Sequence, residues 1–412
     1  MSSARKERWA RRGASATTGA VAAPAARFWA RAGWLARTRP MASAETRRID
    51  APIKMEHRAM NGAGKQSAIL AGDGCHVASH QYINYNFATF GAHAPLHDVH
   101  VFAHNHFYRS LPARRSTMFH LSAALVTTYG LLALAVCSVW FPPVTLRSKR
   151  EVPPWLCLLT LACASGVATG LLSLPAIAAL IVLGALAYGA RRSESGPLHV
   201  LLMVAMGSML LALSMHRFPG FVNPPLVSGL LISDAADPVT QRLNFDTAAA
   251  GLILFALFCV PARTRAQWRP VRRNYWIILG TPLIVLPVGV QVGYVDVDFK
   301  LFAYTPVFFA INLLFTCVAE EAFFRGFIQE QLTRAMSRWK AGPAIALCVA
   351  AVLFGLAHAR GGPLLIGLAT LAGLGYGYAY LRSKRIETAI LTHLALNGIH
   401  FIAFTYPRLS PA

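Results

Sequence analysis

Charged residues are scarce in this chain. Only 14% of its 412 residues are Asp, Glu, Lys or Arg, whereas 55% are hydrophobic. A soluble domain usually carries about a quarter charged residues, so this balance argues against a soluble protein. From Met118 onward apolar runs recur, and many of them approach the roughly 20 residues that are needed to cross a bilayer. The composition therefore favours an integral membrane protein.

Paired cysteines and zinc signatures are also missing. The seven cysteines include no CxxC pair and show no regular spacing, and most of them lie within apolar runs, so we predict neither a disulfide framework nor a cysteine zinc site. No HExxH sequence occurs either. Histidines crowd the stretch from His76 to His106, but no Cys or carboxylate ligands accompany them at regular spacing. The sequence predicts no metal ion or other cofactor.

Acidic residues are few, and their distribution is informative. The chain has 17 Asp and Glu against 39 Lys and Arg, a formal net charge of +22. Such an excess can indicate nucleic-acid binding, but after Met118 the basic residues form short clusters between apolar runs, and no basic, aromatic nucleic-acid module is found. Every second loop is basic, while loops 216–246 and 295–300 carry aspartates. The basic loops are therefore expected in the cytoplasm, and no nucleic-acid partner is expected.

The apolar segments predict an all-α fold, a polytopic transmembrane helix bundle of about ten spans. Residues 1–117 differ, because they are rich in Ala, Arg and His and show no sustained period. We interpret them as a disordered basic extension or as an over-extended start of the reading frame. The segments are 118–141, 154–171, 173–190, 198–215, 247–261, 275–294, 302–328, 343–358, 363–381 and 388–406.

Two carboxylates and a guanidinium interrupt segment 302–328, and we expect them near its cytoplasmic end. Charged side chains at membrane depth cost about 2.5–3.5 kcal/mol each, so they persist where they pair, face a cavity or do chemistry. In a helix, Glu321 and Arg325 form an i,i+4 pair with the acid N-terminal, the favoured orientation. Glu320 diverges from Glu321 by about 100° around the axis, so it is left free to act as a base.

Further polar side chains occur on later apolar segments. His358 follows Phe354 by four residues, and His393 and Asn397 share one helical face. These groups suggest a hydrolytic site in which Glu320 activates a water molecule and His358 assists proton transfer. His393 and Asn397 would hold the oxyanion of a scissile amide, and one such donor contributes about 2.7–4 kcal/mol.

The combined motifs resemble a known family. They occur in this order and in hydrophobic context: Glu320-Glu321-x-x-x-Arg325, Phe354-x-x-x-His358 and His393-x-x-x-Asn397. The pattern is similar to the CPBP (Abi) family, which groups type II CAAX prenyl endopeptidases with bacteriocin-processing and self-immunity proteins. It covers roughly residues 300–406, which we treat as a CPBP-like protease domain, and residues 118–294 are treated as separate N-terminal spans.

The resemblance implies a metal-independent intramembrane glutamic endopeptidase that cleaves near the terminus of a peptide or membrane protein. Glu320 would be the base, with His358 as its partner and His393 and Asn397 as the oxyanion site. Three further residues would support them, and these are Glu321, Arg325 and Phe354. The number of spans and the branch of the family favour a bacterial inner membrane.

Three other interpretations stay open. The same site could be zinc-dependent, with Glu320, His358 and His393 as ligands and water as the fourth. The chain could instead be a non-catalytic membrane protein that confers immunity to a bacteriocin or scaffolds a partner. A transporter with a Glu and His proton relay is disfavoured, because no inverted repeat is evident between the two halves.

Overall fold

The computed structural model describes residues 100–101, 119–120, 122–145, 147, 151–193 and 196–410. All of them belong to one compact unit, Val77–Ala412. The expected basic extension, with its histidine-rich stretch, lies outside the described residues apart from His100–Val101.

Helices dominate the described residues, and the prediction of an all-α membrane bundle is confirmed. The helices are α1 Ala123–Ser138, α2 Pro154–Ala168, α3 Leu174–Arg192, α4 Pro197–Ser214, α5 Phe245–Phe258, α6 Arg265–Arg273, α7 Tyr275–Gln291, α8 Thr305–Ala335, α9 Gly342–Ala357, α10 Pro363–Ser383 and α11 Ile386–Ala403. Six helical stretches in the described part of the chain are long and apolar enough to cross a membrane, namely α3, α4, the continuous α6–α7, α8, α10 and α11. Four shorter apolar helices, α1, α2, α5 and α9, account for the other predicted segments.

Short antiparallel strands occupy some of the loops. One sheet has the order β1-β2-β5-β6, and β3 and β4 form a separate pair. The hairpin of β5 and β6 lies within the aspartate-bearing loop 216–246. The bounds are β1 His100–Val101, β2 Phe119–His120, β3 Val144–Thr145, β4 Glu151–Val152, β5 Pro225–Leu230 and β6 Val239–Arg242.

Helix α5 is the central element of the bundle. Every residue from Phe245 to Phe255 is buried, and a helix that is apolar on all sides belongs in a core. Its contact with α8 is close, because a Cβ placed on Gly251 would collide with Ala319. By contrast, α3 and α4 expose large apolar side chains such as Leu174 and Leu201, as expected for helices that face lipid.

Helix α8 is longer than the apolar run that predicted it. The helix continues past Ile328 to Ala335, with an i,i+4 ion pair between Glu330 and Arg334 at 2.9 Å in its last turns. Glu320 therefore lies at the midpoint of the helix. Two π-helical stretches, Asn312–Cys317 and Ala322–Gln329, flank the short α-helical stretch Val318–Glu321. π-Helical segments are rare in proteins, and those that occur are often found at functional sites.

Glycines allow α10 to pack closely against its neighbours. Gly373 lies against Ala351 of α9, where an added Cβ would be 3.1 Å from the Ala351 Cα. Gly375 lies against Thr281 of α7, and an added Cβ would collide with that side chain. Small residues at such spacing let membrane helices approach closely. The backbone of α10 is consequently within reach of side chains on α8.

Candidate active site

The four predicted catalytic side chains line one cavity. Glu320 comes from α8, His358 from the residue that caps α9, and His393 and Asn397 from α11. The cavity has a volume of about 110 Å³. A single water needs about 10–15 Å³ by this kind of measure, so several waters fit, although ordinary ligand pockets are larger at about 300–1,000 Å³. The sequence motifs thus converge in space.

Glu321 lies at the centre of a buried ionic network. Its Oε1 accepts a hydrogen bond from Arg325 Nη1 at 3.0 Å, as the i,i+4 spacing predicted. The same oxygen accepts a second hydrogen bond from His393 Nδ1 at 2.9 Å. Arg325 in turn donates through Nη2 to the carbonyl oxygen of Gly373 at 3.0 Å. Glu321 and Arg325 are fully buried, so the network joins α8 to α10 and α11 in the interior.

Aromatic rings enclose the Arg325 guanidinium. Its Cζ lies 4.7 Å from the centroid of Phe354 and 5.1 Å from that of Tyr376, within the range of cation–π attraction. Tyr376 also stacks on the His393 ring, with centroids 4.5 Å apart and planes at 16°. Phe354 lies between the two histidines, 4.7 Å from His358 and 5.7 Å from His393. The aromatic residues therefore fix the positions of the guanidinium and of both imidazoles.

Glu320 differs from its neighbour in lacking a partner. Within the described part of the chain it accepts no hydrogen bond, and its Oε2 is buried. A buried polar atom without a partner costs about 1–3 kcal/mol, and more if it is charged, so such atoms usually bind ordered water. The divergence of the two carboxylates that the helix geometry predicted is confirmed. Glu320 is available to a water molecule in the cavity.

His358 is held in a defined tautomer. Its Nδ1 lies 2.8 Å from the carbonyl oxygen of Phe354, one turn earlier on α9. A carbonyl oxygen only accepts hydrogen bonds, so the network assigns the proton to Nδ1 and leaves Nε2 of the neutral ring as an acceptor. The same argument applies to His393, whose Nδ1 donates to the Glu321 carboxylate.

Asn397 contacts a residue that the sequence analysis missed. Its Nδ2 donates to Asn312 Oδ1 at 3.2 Å, and the same oxygen lies 3.2 Å from Cys317 Sγ. Asn312 lines the cavity and begins the first π-helical stretch of α8. An isolated amide inside an apolar segment, eight residues before Glu320, was a signal that could have found it. Asn397 keeps one amide hydrogen that is not used in this contact.

Part of the cavity wall comes from outside the stretch that carries the motifs. Helix α7 contributes Val285, Leu286 and Gly289, and the loop after it contributes Tyr294. Strand β6 contributes Gln241, the one lining residue among the described residues before α7. The cavity therefore extends from the middle of α8 to the aspartate-bearing loops.

A zinc site is not formed by these side chains. Across residues 122–145, 151–193 and 196–410, and in the short described pieces beside them, no three His, Cys, Asp or Glu side chains are grouped to hold a metal ion. Glu320, His358 and His393 line the same cavity without meeting at one point. The donor arrangement does not fit the zinc-dependent alternative.

Comparison with protein families connects this geometry to a known group. Residues 302–399 match the family model described as type II CAAX prenyl endopeptidase Rce1-like. These residues form an Rce1-like domain. No curated protein and no solved structure is significantly similar to the chain. The Rce1-like domain runs from the start of α8 into α11 and contains all three sequence motifs, whereas Gln241 and the α7 wall lie outside it.

The Rce1-like domain defines the general class of the protein. Its family is one of CAAX-type proteases, and six helical stretches of the described residues are long and apolar enough to span a bilayer. The chain is an integral, multi-pass membrane protein with a protease domain. A protease of this kind acts on a peptide or protein, and its surroundings are lipid.

Proposed function

We propose that this protein is an intramembrane endopeptidase in which Glu320 activates water to cleave near the terminus of a peptide or membrane protein. The observation that carries the proposal is the contrast between the two adjacent carboxylates. Glu321 is committed to Arg325 and His393, whereas Glu320 has no partner and lines a cavity that holds water-sized spaces. One carboxylate supports the site and the other is free for chemistry.

The proposed reaction uses the hydrogen-bond donors and acceptors in the cavity that the contacts described above leave unused. Glu320 takes a proton from a water molecule as the water oxygen attacks the carbonyl carbon of the scissile amide. The oxyanion forms beside Asn397, whose remaining amide hydrogen can donate to it. The proton held by Glu320 then passes to the leaving nitrogen as the carbon–nitrogen bond breaks. His358 presents Nε2 as an acceptor and assists these proton transfers.

Glu321 supports the second oxyanion donor. With Nδ1 bound to Glu321, the His393 ring donates through Nε2 only when it carries a second proton. The Glu321 carboxylate compensates the positive charge of that imidazolium, and the ion pair with Arg325 holds the carboxylate in position. Phe354 and Tyr376 hold the ring in place from two sides. Glu321, Arg325 and Phe354 are thus positioning residues.

The location is part of the proposal. We place the basic loops in the cytoplasm of a bacterial cell and the protein in its inner membrane, with residues 118–294 as spans that complete the walls around residues 300–406. The cavity lining reaches Gln241 and Val295, which lie in the aspartate-bearing loops. The substrate would consequently meet the site from the side opposite the basic loops.

The deciding experiment compares peptide termini in host membranes that contain wild-type protein or Glu320→Gln at matched level. Termini that disappear in the variant identify the protease and its substrate class together. Glu330→Gln is the matched control, because Glu330 is also on α8 but pairs with Arg334 away from the cavity. Unchanged termini in Glu320→Gln, with rescue of a deletion phenotype, would instead support the immunity or scaffold function. Loss of cleavage with a chelator would favour the zinc-dependent alternative.

A further inference from the structure

A second cavity lies on the basic-loop side of the bundle, apart from the candidate active site. It is formed between α6, the start of α7 and the end of α10, and its volume is about 570 Å³. Three arginines line it: Arg269 and Arg273 from α6 and Arg382 from α10. Asn274 and Trp276 complete the polar and aromatic parts of the wall. Its size falls within the range of about 300–1,000 Å³ for ordinary ligand sites.

Within the described residues, no acidic side chain pairs with the positive charges of this cavity. The sequence has no Asp or Glu between Asp246 and Asp296, and none within α10. All three arginines are exposed, and none of them forms an ion pair with another described residue. Arg269 and Arg273 are i,i+4 neighbours, a spacing at which like charges repel. An anion bound among the three guanidinium groups would remove that repulsion.

Aromatic side chains set the depth of the cavity in the bilayer. Trp276 is 50% exposed and Tyr378 is 40% exposed, and their rings meet edge to face with centroids 6.1 Å apart. Exposed Trp and Tyr of this kind mark the interface between headgroups and hydrocarbon. Further along α7, Leu279 and Leu283 are 51% and 67% exposed, as expected where acyl chains begin. The arginines therefore lie at the level of lipid headgroups.

We propose that this cavity binds the phosphate headgroup of an anionic phospholipid from the leaflet on the basic-loop side. Guanidinium groups suit phosphate because their planar donors bind two oxygens at once. Basic cavities between transmembrane helices are a recognised type of site for acidic lipid headgroups. A soluble phosphate ester shares the phosphate chemistry, but the aromatic and leucine stripe beside the arginines offers a surface for acyl chains. The lipid is therefore the occupant that matches both parts of the site.

The test uses the full-length protein in nanodiscs of phosphatidylcholine with increasing amounts of phosphatidylglycerol. Native mass spectrometry counts the lipids that stay bound after transfer to a neutral detergent. We expect phosphatidylglycerol to be retained in preference to phosphatidylcholine. The double variant Arg269→Gln/Arg273→Gln should weaken retention about 25-fold, at roughly fivefold for each guanidinium that loses its direct hydrogen bonds to the phosphate. Arg382→Gln, on a different helix, should weaken it about fivefold.

The matched control removes two charges from the same helix without changing the cavity. Arg265 and Arg272 are exposed on α6 but do not line the site, so Arg265→Gln/Arg272→Gln should change retention less than threefold. An equal loss in this control would show only diffuse attraction and would overturn the proposal. Binding of inorganic phosphate without retention of phosphatidylglycerol would overturn the lipid as occupant, and so would equal retention of both lipids.

Discussion

The two adjacent carboxylates should respond in opposite ways to the same substitution, because their surroundings differ. Glu321→Gln removes the charge that compensates fully buried Arg325 and weakens the hydrogen bond from His393. Leaving one charge of a buried pair without its partner costs about 3–5 kcal/mol. Glu320→Gln removes no contact within the described residues and replaces an unpaired buried carboxylate by a neutral amide. We expect its free energy of unfolding to be no lower than that of wild type, because the change removes an unpartnered charge.

The assay is equilibrium unfolding of the reconstituted protein, followed in parallel by cleavage of a substrate found through the comparison of termini. Glu320→Gln should be stable and inactive, whereas Glu321→Gln should be destabilised and weakly active. A third variant, Glu321→Gln/Arg325→Met, removes both charges and should recover about 2 kcal/mol relative to the single variant. Equal stability of the two single variants would refute the division of roles between Glu320 and Glu321.

Three further outcomes follow from the packing and from the cavity wall. Gly251→Ala should destabilise the protein by about 1–3 kcal/mol in the same unfolding assay, since the new methyl group collides with Ala319, whereas Gly280→Ala, which has no atom within 4 Å of the new methyl, should not. Asn397→Ala should lower kcat about 10²- to 10³-fold with little change in KM, and an unchanged kcat would exclude it as an oxyanion donor. Gln241→Ala should mainly raise KM, measured by steady-state kinetics, because Gln241 lines the cavity but has no part in the proposed proton transfers or oxyanion contacts; a selective loss of kcat would contradict this.

Sequence reasoning found the parts of the fold that depend on local periodicity. The apolar runs predicted the ten apolar helices, because a chain inside a bilayer must form its backbone hydrogen bonds within the protein, and a long helix does so. Amphipathic α6 was missed, since its arginines had been assigned to a loop, and so were the short strands of the aspartate-bearing loop. The length of α8 was underestimated because its last turns are held by the Glu330–Arg334 pair and not by apolar residues.

In the site, too, contacts between residues close in sequence were predictable, and contacts between distant residues were not. The pairing of Glu321 with Arg325 was predictable, because an i,i+4 spacing fixes neighbours on any helix. The hydrogen bond from His393 to Glu321 joins positions 72 residues apart, and no periodicity reports it. Tyr376, which stacks on His393, lies in a glycine-rich apolar run, and no local pattern indicates that it contacts His393. The roles of the predicted residues remain for the substitutions above to test.

The cavity wall is formed by residues inside and outside the Rce1-like domain, and this limits which segments can be exchanged in a chimera. The Rce1-like stretch cannot be transferred on its own, because two of its contacts depend on residues outside it. Gly251 of α5 packs closely against Ala319, and Gln241 lines the same cavity as Glu320. A chimera that transplants residues 302–399 alone would leave α8 against a foreign surface and would lose one side of the candidate active-site cavity. Exchange of specificity between relatives should therefore succeed only when the graft carries α5, α7 and the β5–β6 hairpin along with the motifs.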